Sequence, residues 1–194
     1  PAVIVAVQRV GPSTGLPTRT AQGDILSTAV LSHGDTKHIM LIPSSAEECY
    51  ELTMAAFDLA ERFQTPVFLM TDLDIGMNVR LTRPFAWDEA RQYDRGKVMT
   101  AEDLEAGTVF GRYLDVDDDG ITYRTYPGTH AKRGSFFTRG TSRDRYARYT
   151  EEGSAYVDNM QRLLRKFETA KLYVPEPVVR ESPKTARYGV IYYG

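Results

Sequence analysis

Cysteine is nearly absent from this 194-residue chain, where Cys49 is the only one. An internal disulfide is therefore excluded, which suits a reducing, cytoplasmic setting. A single thiol also cannot hold an iron–sulfur cluster, which ordinarily takes about four. Net charge is scarce too: a formal charge of -2 gives no electrostatic reason to expect nucleic acid or an anionic membrane as partner. No apolar run approaches the roughly 20 residues of a membrane span. The first residues carry neither the basic stretch nor the small-residue cleavage site of a secretory signal. The three histidines, His33, His38 and His130, are too scattered to read as a ligand set.

What is present is ordinary globular material, 42% hydrophobic and 26% charged, of a length that suits one domain or somewhat more. Residues 2–7 (AVIVAV) form an apolar run of strand length without helical periodicity. A loop rich in Gly, Pro, Ser and Thr follows over 11–18, and then a helical stretch over about 20–31. Residues 39–42 read as a second buried strand. Ser44 or Ser45 then caps a long amphipathic helix, with Glu47 and Glu48 in its first turn, where the helix dipole favours negative charge. Tyr50, Met54, Phe57, Leu59, Ala60 and Phe63 keep helical spacing until Thr65-Pro66, and residues 67–70 form a third strand.

Continuous apolar strands separated by helices predict an α/β fold: a three-layer parallel sheet with helices on both faces. Ligands of such sheets gather at the carboxyl ends of the strands. That rule puts residues 8–19 and 71–78 on the functional edge. From about 81 to 150 the pattern breaks into short strands and turns, such as residues 120–124, too irregular for an independent core and expected to wrap over the sheet or a partner subunit. Residues 151–171 predict a helix with Tyr156, Met160, Leu163, Leu164 and Phe167 on one face. The proline-bearing stretch 174–187 reads as a linker, and 188–194 as the first strand of a next domain. A chain that starts and finishes inside strands is expected to be a fragment, with residues 1–80 the later part of its α/β domain.

The strongest candidate for chemistry is the segment 8–18, QRVGPSTGLPT. An arginine at the end of a buried strand sits in a partly dry crevice, where its guanidinium can grip a carboxylate through two parallel hydrogen bonds. The glycines and prolines after it fix the backbone, and Ser13, Thr14 and Thr18 offer hydroxyls. Chemistry alone leaves a second reading open, in which Arg9 pairs with Asp24 and the loop is structural. No Gly-Lys-Ser/Thr ending follows, so this is not a Walker phosphate loop.

The segment from Gln8-Arg9 to Thr18, followed by Gln22 and Asp24, closely resembles the corresponding stretch of 2-oxoacid:ferredoxin oxidoreductase alpha subunits. His33-Gly34-Asp35, Thr65-Pro66-Val67, residues 123–129 (YRTYPGT), residues 138–141 (TRGT) and Asn159-Met160-x-Arg162-Leu163-x-x-Lys166 resemble the same family. Val10 stands where that family usually has glycine. The resemblance implies the pyrimidine-binding domain of a thiamine-diphosphate-dependent enzyme. Its beta subunit would hold the diphosphate, Mg2+ and an iron–sulfur cluster. Arg9 would meet the carboxylate of a 2-oxoacid, most like 2-oxoglutarate, with coenzyme A taking the acyl group and ferredoxin the electrons. The family's catalytic glutamate has no counterpart in these residues, so the implied role is substrate grip, through Arg9, Ser13, Thr14 and Thr18. His33 and Asp35 are possible site-lining residues.

Other stretches have plainer readings. Residues 115–120 (DVDDDG) mimic half of a calcium loop, but position twelve would be Tyr126, so an acidic turn is expected and no metal. Arg143, Arg145, Tyr146, Arg148 and Tyr149 are interrupted by Asp144, Glu151 and Glu152, which favours a subunit surface over RNA stacking. Cys49 reads as a small core residue. Two competing functions remain: a non-catalytic assembly module of the same fold, and a thiamine-dependent relative that passes its electrons elsewhere.

Overall fold

The computed structural model describes residues 1–32, 37–140 and 142–194. Three strands, β1 (Ala2–Gln8), β2 (Ile39–Leu41) and β3 (Pro66–Asp72), form one parallel sheet in the order β1-β3-β2. The chain leaves β1 through α1 (Ile25–Ala29), joins β2 to β3 through α2 (Ala46–Phe63), and runs from β3 directly into α3 (Leu73–Met77). Two further helices, α4 (Ala101–Glu105) and α5 (Gly153–Ala170), follow in the later part. Among the described residues no helix is long and apolar enough to cross a membrane.

The central strand behaves as its composition dictates. Val67, Phe68, Leu69 and Met70 are all buried, so both faces of β3 are covered. One face meets α2 and carries the core of Ile39, Leu41, Val67, Leu69, Ala56, Leu59, Ala60 and Phe63. The first strand differs from expectation. Ile4, Val5 and Val7 are 40%, 56% and 40% exposed, because among the described residues β1 is an edge strand with a neighbour only on its β3 side. The expected helices on both faces are likewise realised mainly by α2.

Local chemistry sets the ends of α2. Ser45 is its N-cap and accepts a hydrogen bond from Glu48 N at 3.1 Å, while Ser44 N and Oγ donate to Glu48 Oε2 at 2.7 and 2.8 Å. Gln64 turns left-handed at φ 51 and closes the helix. The helix expected over 20–31 shortens to five residues. Residues 20–24 stay irregular, and the Asp24 amide donates to the Gln8 side chain rather than to a helical carbonyl.

The irregular stretch does wrap over the sheet. Ile121 enters the core, and Val98 and Arg124 form a parallel bridge beside α4, which Thr100 caps in a reciprocal pair with Asp103. Arg124, buried, pairs with Glu61 of α2 and donates to Arg95 O at 2.7 Å. The acidic turn at 115–120 is held by two cations. Lys97 meets Asp117 and Asp119 at 2.5 and 2.9 Å, and Arg165 meets Asp115 and Asp118 at 2.7 and 2.9 Å.

Helix α5 docks by only part of its expected face, on which Met160, Leu163 and Phe167 are half-buried. Tyr156 and Leu164 are about half exposed, whereas Arg162 and Ala170 are buried. The docked side donates to carbonyls: Arg162 to Gly120 at 3.1 Å, Lys166 to Phe63 at 2.9 Å, and Thr169 to Asp119 at 2.7 Å. The strand expected at 188–194 is not formed, and Tyr188, Val190 and Ile191 are almost fully exposed.

Two predictions test this docking. Gly120 has φ +78, and a Cβ there would stand 2.2 Å from Lys166 N and 2.6 Å from Arg162 O. Gly107 has φ +87 but open space around it. Gly107→Ala should therefore cost about 1 kcal/mol of backbone strain, and Gly120→Ala about 3 kcal/mol or more, in denaturant unfolding. Arg124→Met should cost about 2–4 kcal/mol by stranding Glu61, and adding Glu61→Met should restore much of that loss.

Candidate functional site at the carboxyl edge

The register of the sheet decides what stands together at its carboxyl edge. Gln8 pairs with Asp72, the last residues of β1 and β3, and their side chains share a face. Both are buried, at 1% and 3% exposure. Buried polar groups must find partners. Gln8 Oε1 accepts from Asp24 N at 3.3 Å, Asp72 Oδ1 caps α3 by accepting from Ile75 N at 3.1 Å, and Asp72 Oδ2 accepts from Gln22 Nε2 at 3.0 Å. Gln22 Nε2 also reaches Tyr193 O at 3.4 Å. Sequence reasoning missed this Gln8–Gln22–Asp72 floor as a unit. The signal for it was a polar residue closing each of two apolar strands.

Arg9 is the next residue after the floor, at the tip of β1, and it is exposed. The dry crevice expected around it is not formed by the described residues, because β1 is the sheet's edge and nothing in them stands on its outer side. Asp24, the alternative partner, is held by its backbone: its carbonyl accepts from Ser27 Oγ at 2.9 Å and its N–H donates to Gln8.

Beyond Arg9 the loop closes on itself. Val10 N donates to Arg19 O at 3.3 Å, Leu16 N to Val10 O at 3.2 Å, and Arg19 N to Leu16 O at 3.0 Å, with a bridge between Val10 and Leu16. Gly15 is required here: φ is +46, and a Cβ would lie 2.2 Å from Val10 O. Ser13, Thr14 and Thr18 are all exposed on this loop. Arg9 and the three hydroxyls thus belong to one short, hydrogen-bonded loop, a set of donors that suits an anion. His33 and Asp35 lie outside the described residues.

Cys49, in the first turn of α2, is half-buried, and burial pushes its thiol up despite a hydrogen bond with Thr71. A raised thiol is a poor nucleophile, which fits a packing role. His130 folds back on α4, its Nε2 2.6 Å from Glu105 Oε1 and its Nδ1 accepting from the amides of Lys132 and Arg133.

Comparison with known proteins places this geometry. Residues 1–168 match the family described as "Pyruvate flavodoxin/ferredoxin oxidoreductase, thiamine diP-bdg". Over 76 residues the chain is 49% identical to 2-oxoglutarate synthase subunit KorA of Methanocaldococcus jannaschii, covering 39% of this chain and 21% of that protein. Over 197 aligned residues it is 30% identical to 2-oxoacid:ferredoxin oxidoreductase 2, subunit alpha, of Aeropyrum pernix, covering 100% of this chain and 29% of that protein. The chain thus spans less than a third of the length of these relatives. Among solved structures, the 2-oxoglutarate:ferredoxin oxidoreductase of Magnetococcus marinus superposes with a TM-score of 0.74 over 93% of this chain and 31% of that one, at 23% identity, a likeness of fold. With the family match running through the strand, the Arg9 loop, the wrapped segment and nearly all of α5, the chain belongs to the pyruvate flavodoxin/ferredoxin oxidoreductase family, in its thiamine-diphosphate-binding domain.

Proposed function

We propose that this chain is the alpha-subunit portion of a thiamine-diphosphate-dependent 2-oxoacid:ferredoxin oxidoreductase, and that Arg9 binds the carboxylate of the 2-oxoacid. The observation that carries the reading is the position of Arg9: directly after the buried Gln8, at the carboxyl end of a parallel strand, opening a self-bonded loop with Ser13, Thr14 and Thr18. Gln8 and Asp72 fix the strand end beneath it, so the guanidinium swings about a fixed point. Its planar fork suits a carboxylate, and the hydroxyls suit the neighbouring keto oxygen as donors.

An exposed arginine grips a carboxylate weakly in water. Arg9 therefore needs a second wall to exclude solvent, and a beta subunit seated against the exposed β1 edge supplies it in this reading. The described residues do not complete a thiamine diphosphate site. Each oxygen of Asp72 already accepts a hydrogen bond, and among the described residues no group of three His, Cys, Asp or Glu stands together. The diphosphate, Mg2+ and an iron–sulfur cluster are assigned to that partner.

The Magnetococcus marinus structure holds 2-oxoglutarate, coenzyme A and succinyl-CoA. By analogy we take 2-oxoglutarate as the substrate, coenzyme A as acyl acceptor and ferredoxin as electron acceptor, with the cytoplasm as the setting. The exposed Ile4, Val5 and Val7 of β1 favour one second reading, a non-catalytic module that only holds subunits together.

The two readings part in one assay. The assembled enzyme, given a 2-oxoacid, thiamine diphosphate and coenzyme A, should reduce a viologen dye. Arg9→Ala should raise KM for the 2-oxoacid by about 100-fold, the loss of a charge-assisted contact worth about 3 kcal/mol, with coenzyme A KM unchanged. Arg9→Lys should recover only part of it. Unchanged substrate kinetics in Arg9→Ala would remove Arg9 from the site, and no turnover in the intact assembly would favour the structural module.

A further inference from the structure

The opposite, amino edge of the sheet holds a cavity of about 270 Å³ where the starts of β2 and β3 meet α5. Its walls are apolar, built from Ile39, Phe63, Pro66, Leu163 and Phe167, and Lys166 reaches into it from α5. We propose that Lys166 is an acylation site for short-chain acyl thioesters. The choice of thioester rests on the reading that this enzyme releases an acyl-coenzyme A.

The geometry supports each part of that assignment. At roughly 30 Å³ per water the cavity has the space of about nine waters, enough for a short acyl group with its thioester while the rest of the carrier stays outside. Ser32 and Lys37 line it and are exposed, so among the described residues it has a way in. The Lys37 ammonium lies 5.1 Å from the centroid of the Phe167 ring and puts a positive charge near the entrance, suited to a phosphate-bearing carrier. Lys166 Nζ donates one hydrogen bond to Phe63 O at 2.9 Å, which holds the nitrogen in place and, in the neutral amine, leaves its lone pair unused.

The charged neighbours favour that neutral amine. Burial, then repulsion from Arg162 of α5 and from Arg112 ahead of the acidic turn, lower Lys166 to about 8, and no carboxylate acts against them. Lys37 and His38, from the lead-in to β2, also line the cavity and add no negative charge. A free lysine of normal pKa is almost wholly protonated at pH 8, whereas the lowered pKa of Lys166 leaves a far larger share of it as free amine.

The step balances without a co-reactant. The Nζ lone pair adds to the thioester carbonyl, the C–S bond breaks, and the thiol leaves with the proton given up by nitrogen. The product is an amide, with no change of oxidation state. Acylation removes the charge and fills the cavity.

Acetyl-coenzyme A incubated with the assembled enzyme, followed by peptide mapping, tests the proposal on wild-type protein. At pH 8 Lys166 should be acetylated at about ten times the rate of the exposed Lys132, Lys171 and Lys184, its larger free-amine fraction outweighing its lower basicity. Its rate should level off above about pH 8 while theirs still climbs. Labelling no faster than at the exposed lysines, or a rate at Lys166 that keeps rising to pH 10, would overturn it. Because the thioester is added, a failure of dye reduction would count against the proposed function and leave this result standing.

Discussion

The last two turns of α2, from Asp58 to Gln64, hold the later half of the chain onto the sheet. Phe63 is 1% exposed and sits in the core, so the turn cannot shift without opening it. Its polar groups then reach outward to everything else. Asp58 takes Arg91 at 2.7 Å and the Asp94 amide at 3.0 Å, Arg62 takes Asp94 at 2.5 Å, Glu61 takes Arg124, and Gln64 donates to Thr122 O at 2.6 Å. Lys166 closes the set from α5 through the Phe63 carbonyl. One buried ring fixes a helix end, and that helix end positions segments about 60 and 100 residues downstream.

The consequence is a sheet that is rigid in the middle and open at one side. β3 is buried on both faces, tied to α2 on one and closed at its tip by the Asp72 cap of α3. β1 shares its register from end to end but has a bare outer edge and exposed valines. Half-buried apolar strands with unpaired edges are liabilities in a free domain and assets in one made to be covered. The Arg9 loop hangs from that open strand. Its internal hydrogen bonds give it a shape of its own, so a partner closing over it would add a wall without having to reorganise it.

How much of this the sequence disclosed follows from the range of each interaction. The α2 cap was legible because Ser44, Ser45 and Glu48 lie within one turn. β3 was legible because a strand covered on both faces must be apolar throughout. The burial of β1 was over-read from the same signal, since an apolar run does not say whether the strand is central or at the edge. The floor under Arg9 was not legible, because Gln22 and Asp72 meet only through a register set 50 residues apart. Helix α5 misled most. Its apolar positions keep helical spacing, yet beside Leu163 and Phe167 the docked side also carries Arg162, Lys166 and Thr169, which find carbonyls left free by a turn and a helix end. A hydrophobic pattern scores those residues as solvent-facing.

The two ends of the sheet also show why a formal charge is a poor guide to chemistry. Arg9 stands at the carboxyl edge in the open, and a guanidinium stays charged in nearly any setting. In the proposed role it therefore waits in water and grips a carboxylate when a covering wall lowers the dielectric around it. Lys166 stands at the amino edge among apolar side chains and two other cations, and an ammonium in that setting sheds its proton easily. Exchanging the two residues would defeat both. A lysine at the strand tip would lose its fork, and an arginine in the cavity would hold its charge and have no lone pair to give. The same strand-and-helix frame thus keeps a permanent cation at one edge and a readily deprotonated amine at the other, and the difference is made by the basicity of each group, by burial and by neighbouring charge.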